Sequence, residues 1–126
     1  MQHKIYLKTN KISFMKSKPV GPYSPYRIVG NQLFVSGQIP NDVNVSIKEQ
    51  TRQVLEKLKA LVEQAGFYMT DVVKCTVYLE DIEDFAEMNE VYATFFTEPF
   101  PARAAIAVKD IVKKVKVEID CFAVKQ

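Results

Sequence analysis

One arginine stands among small residues in Phe100-Pro101-Ala102-Arg103-Ala104-Ala105-Ile106, just after a turn stiffened by proline. The alanines leave space beside its side chain. A guanidinium is always charged, and its planar fork grips a carboxylate or phosphate through two hydrogen bonds. The same pattern fits a surface arginine held by a structural ion pair. Glu118 lies in Val117-Glu118-Ile119-Asp120, with Lys116 and Asp120 on its own strand face. A carboxylate there can orient water or act as a general base. It can equally pair with a lysine on a neighbouring strand. Tyr23 sits in Gly21-Pro22-Tyr23-Ser24, a loop braced by prolines, where its ring either walls a pocket or simply packs. Ser36-Gly37-Gln38 ends a strand. Gly37 would let a ligand approach backbone N–H groups closely, although a plain turn explains a glycine there as well.

Composition narrows the chemistry. The chain has 126 residues, 48% hydrophobic and 25% charged, which suits one domain spanning residues 1–126. A chain this long buries roughly two-thirds of its unfolded surface, so it needs no disulfide or metal staple. Lys plus Arg number 17 and Asp plus Glu 15, a net charge of +2. That bias is too weak to argue for nucleic acid or an acidic membrane as partner. One histidine, His3, and two distant cysteines, Cys75 and Cys121, argue against a zinc cluster, a Ser-His-Asp triad and a Cys-His dyad. With no glycine-rich phosphate loop or dinucleotide fingerprint, no cofactor is expected. Both cysteines fall in apparent strand interiors and read as buried free thiols, a cross-strand bridge being the alternative. No apolar run reaches the ~18–20 residues of a membrane helix, and residues 1–18 lack the apolar core of a secretory signal. A cytoplasmic protein is expected.

Residues 1–18 form an N-terminal extension, with a candidate strand over 4–9. Residues 26–29 and 33–36 flank Gly30-Asn31-Gln32 and predict a hairpin. Ser46 followed by Glu49 is a capping box, and Val54, Leu55, Leu58, Leu61, Val62 and Ala65 then recur at helical spacing up to Gly66. A strand follows over 72–79, with Val73, Cys75, Val77 and Leu79 on one face. Asp81 would cap a second helix whose stripe of Phe85, Met88, Tyr92, Phe95 and Phe96 reads as core, and Pro99 and Pro101 stop it. Strands over 102–108 and 114–124 close the chain. This order predicts an α+β fold with two helices on one face of a sheet. Val115, Val117, Ile119, Cys121 and Ala123 alternate onto one face of the last strand. The other face mixes charge with Phe122, Val124 and Tyr78, as expected of a face covered by further subunits. The candidate site is then an arginine and a glutamate on adjacent strands, with a loop tyrosine.

Taken in order, Gly21-Pro22-Tyr23-Ser24, Ser36-Gly37-Gln38-Ile39-Pro40, Asn89 in the second helix, Phe100-Pro101-Ala102-Arg103 and Val117-Glu118-Ile119-Asp120 resemble the pattern of the RidA (YjgF) family over about residues 19–124. The resemblance implies a chorismate-mutase-like mixed sheet and a homotrimer with ligand sites in clefts between subunits. It implies hydrolysis of reactive 2-enamine and 2-imine acids, of the 2-aminoacrylate type, to a 2-keto acid and ammonia. Carried over residue by residue, Arg103 holds the substrate carboxylate and Glu118 orients or deprotonates water. Tyr23 shapes the pocket with the backbone around Gly37, between Ser36 and Gln38, and Asn89 contributes from a neighbouring chain. The sequence departs from the family at Ala105, where many active members carry cysteine. It departs again in a short loop over 40–46 and in a longer N-terminus in which Met15 is a second candidate start. Ala105 and the short loop motivate an alternative: a non-catalytic module that binds or senses small carboxylic or 2-keto acids. RNA binding or cleavage ranks last, given the charge.

Overall fold

Ser46 starts the first helix as its spacing predicts. Its hydroxyl oxygen accepts from the Glu49 N–H at 3.1 Å, and α1 runs over Ile47–Gln64. The reciprocal half of the capping box is not made. The Glu49 carboxylate instead takes Arg52 at 2.6 Å and Gln53 at 3.0 Å, because a full cation three residues on outcompetes one backbone N–H. Those partners, Arg52 foremost, hold the Glu49 carboxyl down to about 2. Val54, Leu55, Leu58, Leu61 and Val62 are buried along one side of α1. Gly66 ends the helix at φ +88°, a conformation that glycine adopts without strain.

The computed structural model describes residues 21–126. The expected strand over 4–9 and the second candidate start at Met15 lie outside these residues. Five strands form one sheet: β1 (Tyr26–Val29), β2 (Gln32–Gln38), β3 (Val72–Leu79), β4 (Ala102–Ala107) and β5 (Val117–Val124). Their spatial order is β1-β2-β5-β3-β4, antiparallel throughout except for the parallel pair β3–β4. Gly30 at φ +60° turns β1 into β2, a tighter hairpin than expected because Gln32 already pairs with Val29. A parallel pair needs a crossover, and the second helix, α2 (Phe85–Tyr92), lies within it. Both helices pack on one face of the sheet, and the core of Leu33, Leu55, Leu58, Val77, Leu79 and Ile119 lies between these layers, each residue fully buried. Burying a side chain of this size contributes about 1.5–3 kcal/mol. No described helix is long and apolar enough to cross a membrane.

Three local expectations are corrected. In β3 it is Val72 that is buried, and Val73 is exposed. The register passes from Val72↔Ala123 to Lys74↔Phe122, so Val73 is an extra residue that shifts the alternation by one. The last strand begins at Val117 and not at residue 114, because Lys113 and Lys114 take φ +61° and +57° in the turn that brings the chain back from β4. The phenylalanine stripe is only partly core. Met88, Tyr92 and Phe96 are buried, but Phe85 is 37% exposed, since helical spacing marks a face without saying how far the sheet beneath it extends. Asp81 caps the 3-10 turn Ile82–Asp84 that feeds α2, accepting from the Glu83 N–H at 2.9 Å. Cys75 and Cys121 face each other across β3 and β5 as buried free thiols. Burial pushes the Cys75 thiol up to about 11 and raises Cys121 as well.

Candidate functional site

Strand register decides which side chains share a face. Arg103 and Ala105 on β4 lie beside Cys75 and Val77 on β3, so they share the helix-covered face with those core residues. Glu118 pairs across strands with Tyr78 and alternates with the buried Val117 and Ile119, so it stands on the open face. β3 also lies between β4 and β5. The arginine and the glutamate are therefore neither on adjacent strands nor on the same side of the sheet. The sequence orders strands along the chain, and this separation appears only once β5 inserts between β2 and β3.

The helix side carries a cation on an aromatic platform. The Arg103 guanidinium carbon lies 4.7 Å from the centre of the Tyr92 ring and 5.5 Å from that of Phe85, within cation–π range. No carboxylate among the described residues lies within ion-pair distance of it. The ion-paired surface arginine is thus not what forms. Tyr92 is buried, and its hydroxyl sits near the Cys75 thiol without the geometry of a hydrogen bond to it or to any other group among the described residues. Burial drives its proton affinity up, so it stays neutral. Asn89 lies one helical turn beyond Phe85 and is partly buried. Ala105 packs partly against the core and presents only a methyl group to this side. Sequence reasoning assigned Phe85 and Tyr92 to the core. Their spacing of seven along one stripe, with Asn89 between them, is the signal that placed both under one charge.

The open side carries the remaining candidates except Gln38, whose register partner is the buried Ile119. β2 has one residue more than β5 between Val35↔Cys121 and Gln38↔Ile119, so Ser36 and Gly37 bulge opposite Asp120. The bulge brings the Gly37 Cα against the Glu118 carboxyl group. A Cβ at Gly37 would fall 2.9 Å from Glu118 Cδ and would collide with Oε2. Glu118 thus occupies the space that the missing side chain leaves. No lysine or arginine among the described residues pairs with it. Burial, and then the charge of Asp120, push its carboxyl above the usual range. Ser36 is a tether: its hydroxyl donates to Ser24 O at 2.6 Å and its N–H to Pro25 O at 2.9 Å, fixing the loop before β1. Gln38 Nε2 donates to Ser36 O at 2.9 Å and braces the bulge. Tyr23 does not pack inward. It is 47% exposed and walls an open groove of about 490 Å³ with Pro22, Arg27, Phe34 and Ser36. One chain therefore offers two half-sites, one cationic and one acidic, on opposite sides of its sheet.

The family model for endoribonuclease L-PSP matches residues 15–125. The chain belongs to this family, also called RidA or YjgF. A RutC family protein of Pyrococcus horikoshii is 52% identical over 115 residues, covering 86% of this chain and 91% of that protein. The 2-iminobutanoate/2-iminopropanoate deaminase of Escherichia coli K12 is 42% identical over 115 residues, covering 85% and 90%. The crystal structure of E. coli TdcF with bound serine superposes with a TM-score of 0.81 at 38% identity, covering 86% and 91%. The five-stranded sheet with two helices is the fold of this family, as the sequence motifs implied.

Proposed function

We propose that this protein hydrolyses reactive 2-imino and 2-enamino acids of the 2-aminoacrylate type to 2-keto acids and ammonia, at sites completed between copies in a homotrimer. The observation that carries this reading is the Arg103 guanidinium, stacked on two rings and without a carboxylate partner among the described residues. Such a fork suits a substrate carboxylate. The E. coli relative named as a deaminase of two 2-imino acids supports the choice of substrate. Glu118, without a cationic partner among the described residues, supplies the proton path.

The enamine first takes a proton at C3 and loses one from nitrogen, becoming the imine. Water adds to the electrophilic C2 while Glu118 accepts one of its protons. The same carboxyl returns that proton to nitrogen, the C–N bond breaks, and ammonia leaves as the remaining hydroxyl loses its proton and closes the C=O bond. Water is consumed and no redox partner is needed. A carboxyl with a raised proton affinity suits transfer in both directions near neutral pH. Arg103 supplies orientation. Because it lies on the other side of the sheet from Glu118, the reaction draws the two from different copies, with Tyr23, Asn89 and the Gly37 bulge completing the cleft.

Imine freshly generated from an amino acid, with keto-acid release followed over time, tests the reading. Purified protein is expected to outpace buffer, Arg103→Ala to abolish the gain, and light scattering to give about three times the 14.4 kDa of one chain. No acceleration with several imines refutes the activity. A monomer refutes the shared cleft. Ala105, which offers no polar group beside Arg103, favours one second reading, capture of a small keto acid without turnover. Calorimetric binding of 2-ketobutyrate without imine turnover is its signature.

A further inference from the structure

The open face beside Glu118 holds a second carboxylate. Asp120 is two residues further along β5, so both acids project from one side of one strand. Tyr78, the cross-strand partner of Glu118, leans along β3, and its hydroxyl donates to Asp120 Oδ2 at 3.3 Å. On β5 itself, Asp120 is the charged neighbour of Glu118, and Lys116 lies just before the strand. β3 contributes Tyr78, with Lys74 further along the same face, and the facing part of β2 contributes Ser36 and Gly37, neither of which titrates. Neither carboxylate has a lysine or arginine within ion-pair distance among the described residues.

A second negative charge on the same strand face disfavours the charged form of Glu118. The hydroxyl of Tyr78 donates to Asp120 and fixes where that carboxylate stands. Burial and the nearby acids keep Tyr78 protonated, so the donor is always present. Asp120 is thus held beside Glu118, and Glu118, crowded against Gly37, feels its charge. We propose that Asp120, anchored by Tyr78, is a positioning residue for the reaction proposed above: its fixed negative charge sets the proton affinity of Glu118, so that one carboxyl both takes a proton from water and returns it to nitrogen. Environments that push neighbouring titratable groups apart divide their roles in this way. The inference rests on the deaminase reading for its chemistry, but the coupling between the two carboxyls exists without it.

Two measurements separate the coupling from the activity. The first is a carbon NMR titration of protein labelled at the glutamate carboxyls, with Glu118 assigned from Glu118→Gln. Its midpoint is expected to fall in Asp120→Asn and to hold in Asp120→Glu, which keeps the charge. Tyr78→Phe, which leaves Asp120 present but untethered, is expected to shift it less and in the same direction. The second is the pH profile of kcat/KM for imine hydrolysis. Activity rises as Glu118 loses its proton, so lowering its affinity moves the acidic limb toward acid. On that limb Asp120→Asn is expected to gain roughly three- to tenfold relative to its own plateau. A Glu118 midpoint that is unchanged in Asp120→Asn and in Tyr78→Phe overturns the proposal, whatever the turnover. A midpoint that falls in a protein without imine turnover upholds the coupling and refutes the deaminase reading alone.

Discussion

Alanine in place of Gly37 plants a methyl group where the Glu118 carboxyl now lies. The new Cβ would sit 2.9 Å from Glu118 Cδ and 3.1 Å from Cγ, with the carboxylate oxygen closer still. Ordinary contact begins near 3.4 Å, so the carboxyl must swing to another rotamer. The backbone at Gly37 is not in the left-handed region, so alanine adds no torsional strain. Moving a side chain off its preferred rotamer costs about 0.5–1.5 kcal/mol. Alanine offsets about 0.4–1 kcal/mol of this by narrowing the unfolded ensemble. For 126 residues, about 2.1 cal/mol/K each makes 1 kcal/mol equivalent to about 4 °C in Tm. The melting point is therefore expected to stay within ~4 °C of wild type. Catalysis is expected to suffer far more, because a displaced acid–base group forfeits about 10²–10⁴ in kcat. The assay is keto-acid release by Gly37→Ala, Glu118→Gln and the double variant. The two changes remove the same group, so the double variant should be no slower than the worse single one. An alanine variant with wild-type kcat, or losses that multiply, would refute the reasoning.

Three further outcomes follow from the same geometry. Gln50 is fully buried in α1; it donates to Val43 O at 3.1 Å and Val45 O at 3.2 Å and accepts from the Lys116 N–H at 2.8 Å. Gln50→Leu orphans all three groups and is expected to cost about 3 kcal/mol or more, read as a fall of roughly 10 °C in thermal melting. Ser36→Ala releases the loop before β1 from its 2.6 Å bond to Ser24 O; faster amide exchange over residues 21–25 and a raised KM should accompany a loss of about 1 kcal/mol. Cys75 and Cys121 are buried and their thiols resist ionisation, so an aromatic disulfide reagent should label neither until denaturant is added; labelling of the native protein within minutes would contradict this.

Local patterns were legible in the sequence wherever one side chain or one period decides the outcome. Ser46 and the recurrence from Val54 to Val62 marked α1, and the alternation from Val117 to Ala123 marked the buried face of β5. Reading failed where a partner strand decides. Nothing local announces that Val73 is an extra residue, because a bulge exists only relative to β5. Lys113 and Lys114 carry no mark of left-handed backbone, which glycine or asparagine would have shown. The candidate residues were found by type, but their grouping was not. Arg103 and Glu118 looked like neighbours along a simple sheet; the insertion of β5 between β2 and β3 separates their strands, and the pairing registers put them on opposite sides. Gly37 was noticed for its lack of a side chain, and the structure supplied the reason, a carboxyl from β5 filling the gap.

That opposition of Arg103 and Glu118 has a genetic consequence on the proposed reading. Each chain would lend its arginine to one cleft and its glutamate to another. Two inactive alleles, one lacking Arg103 and one lacking Glu118, would then complement when expressed together, since mixing places an intact arginine and an intact glutamate in one cleft. An allele bearing both lesions would behave oppositely. Each such chain would spoil two clefts of any assembly it joined, where a single lesion spoils one, and the allele would act as a dominant inhibitor of the wild type.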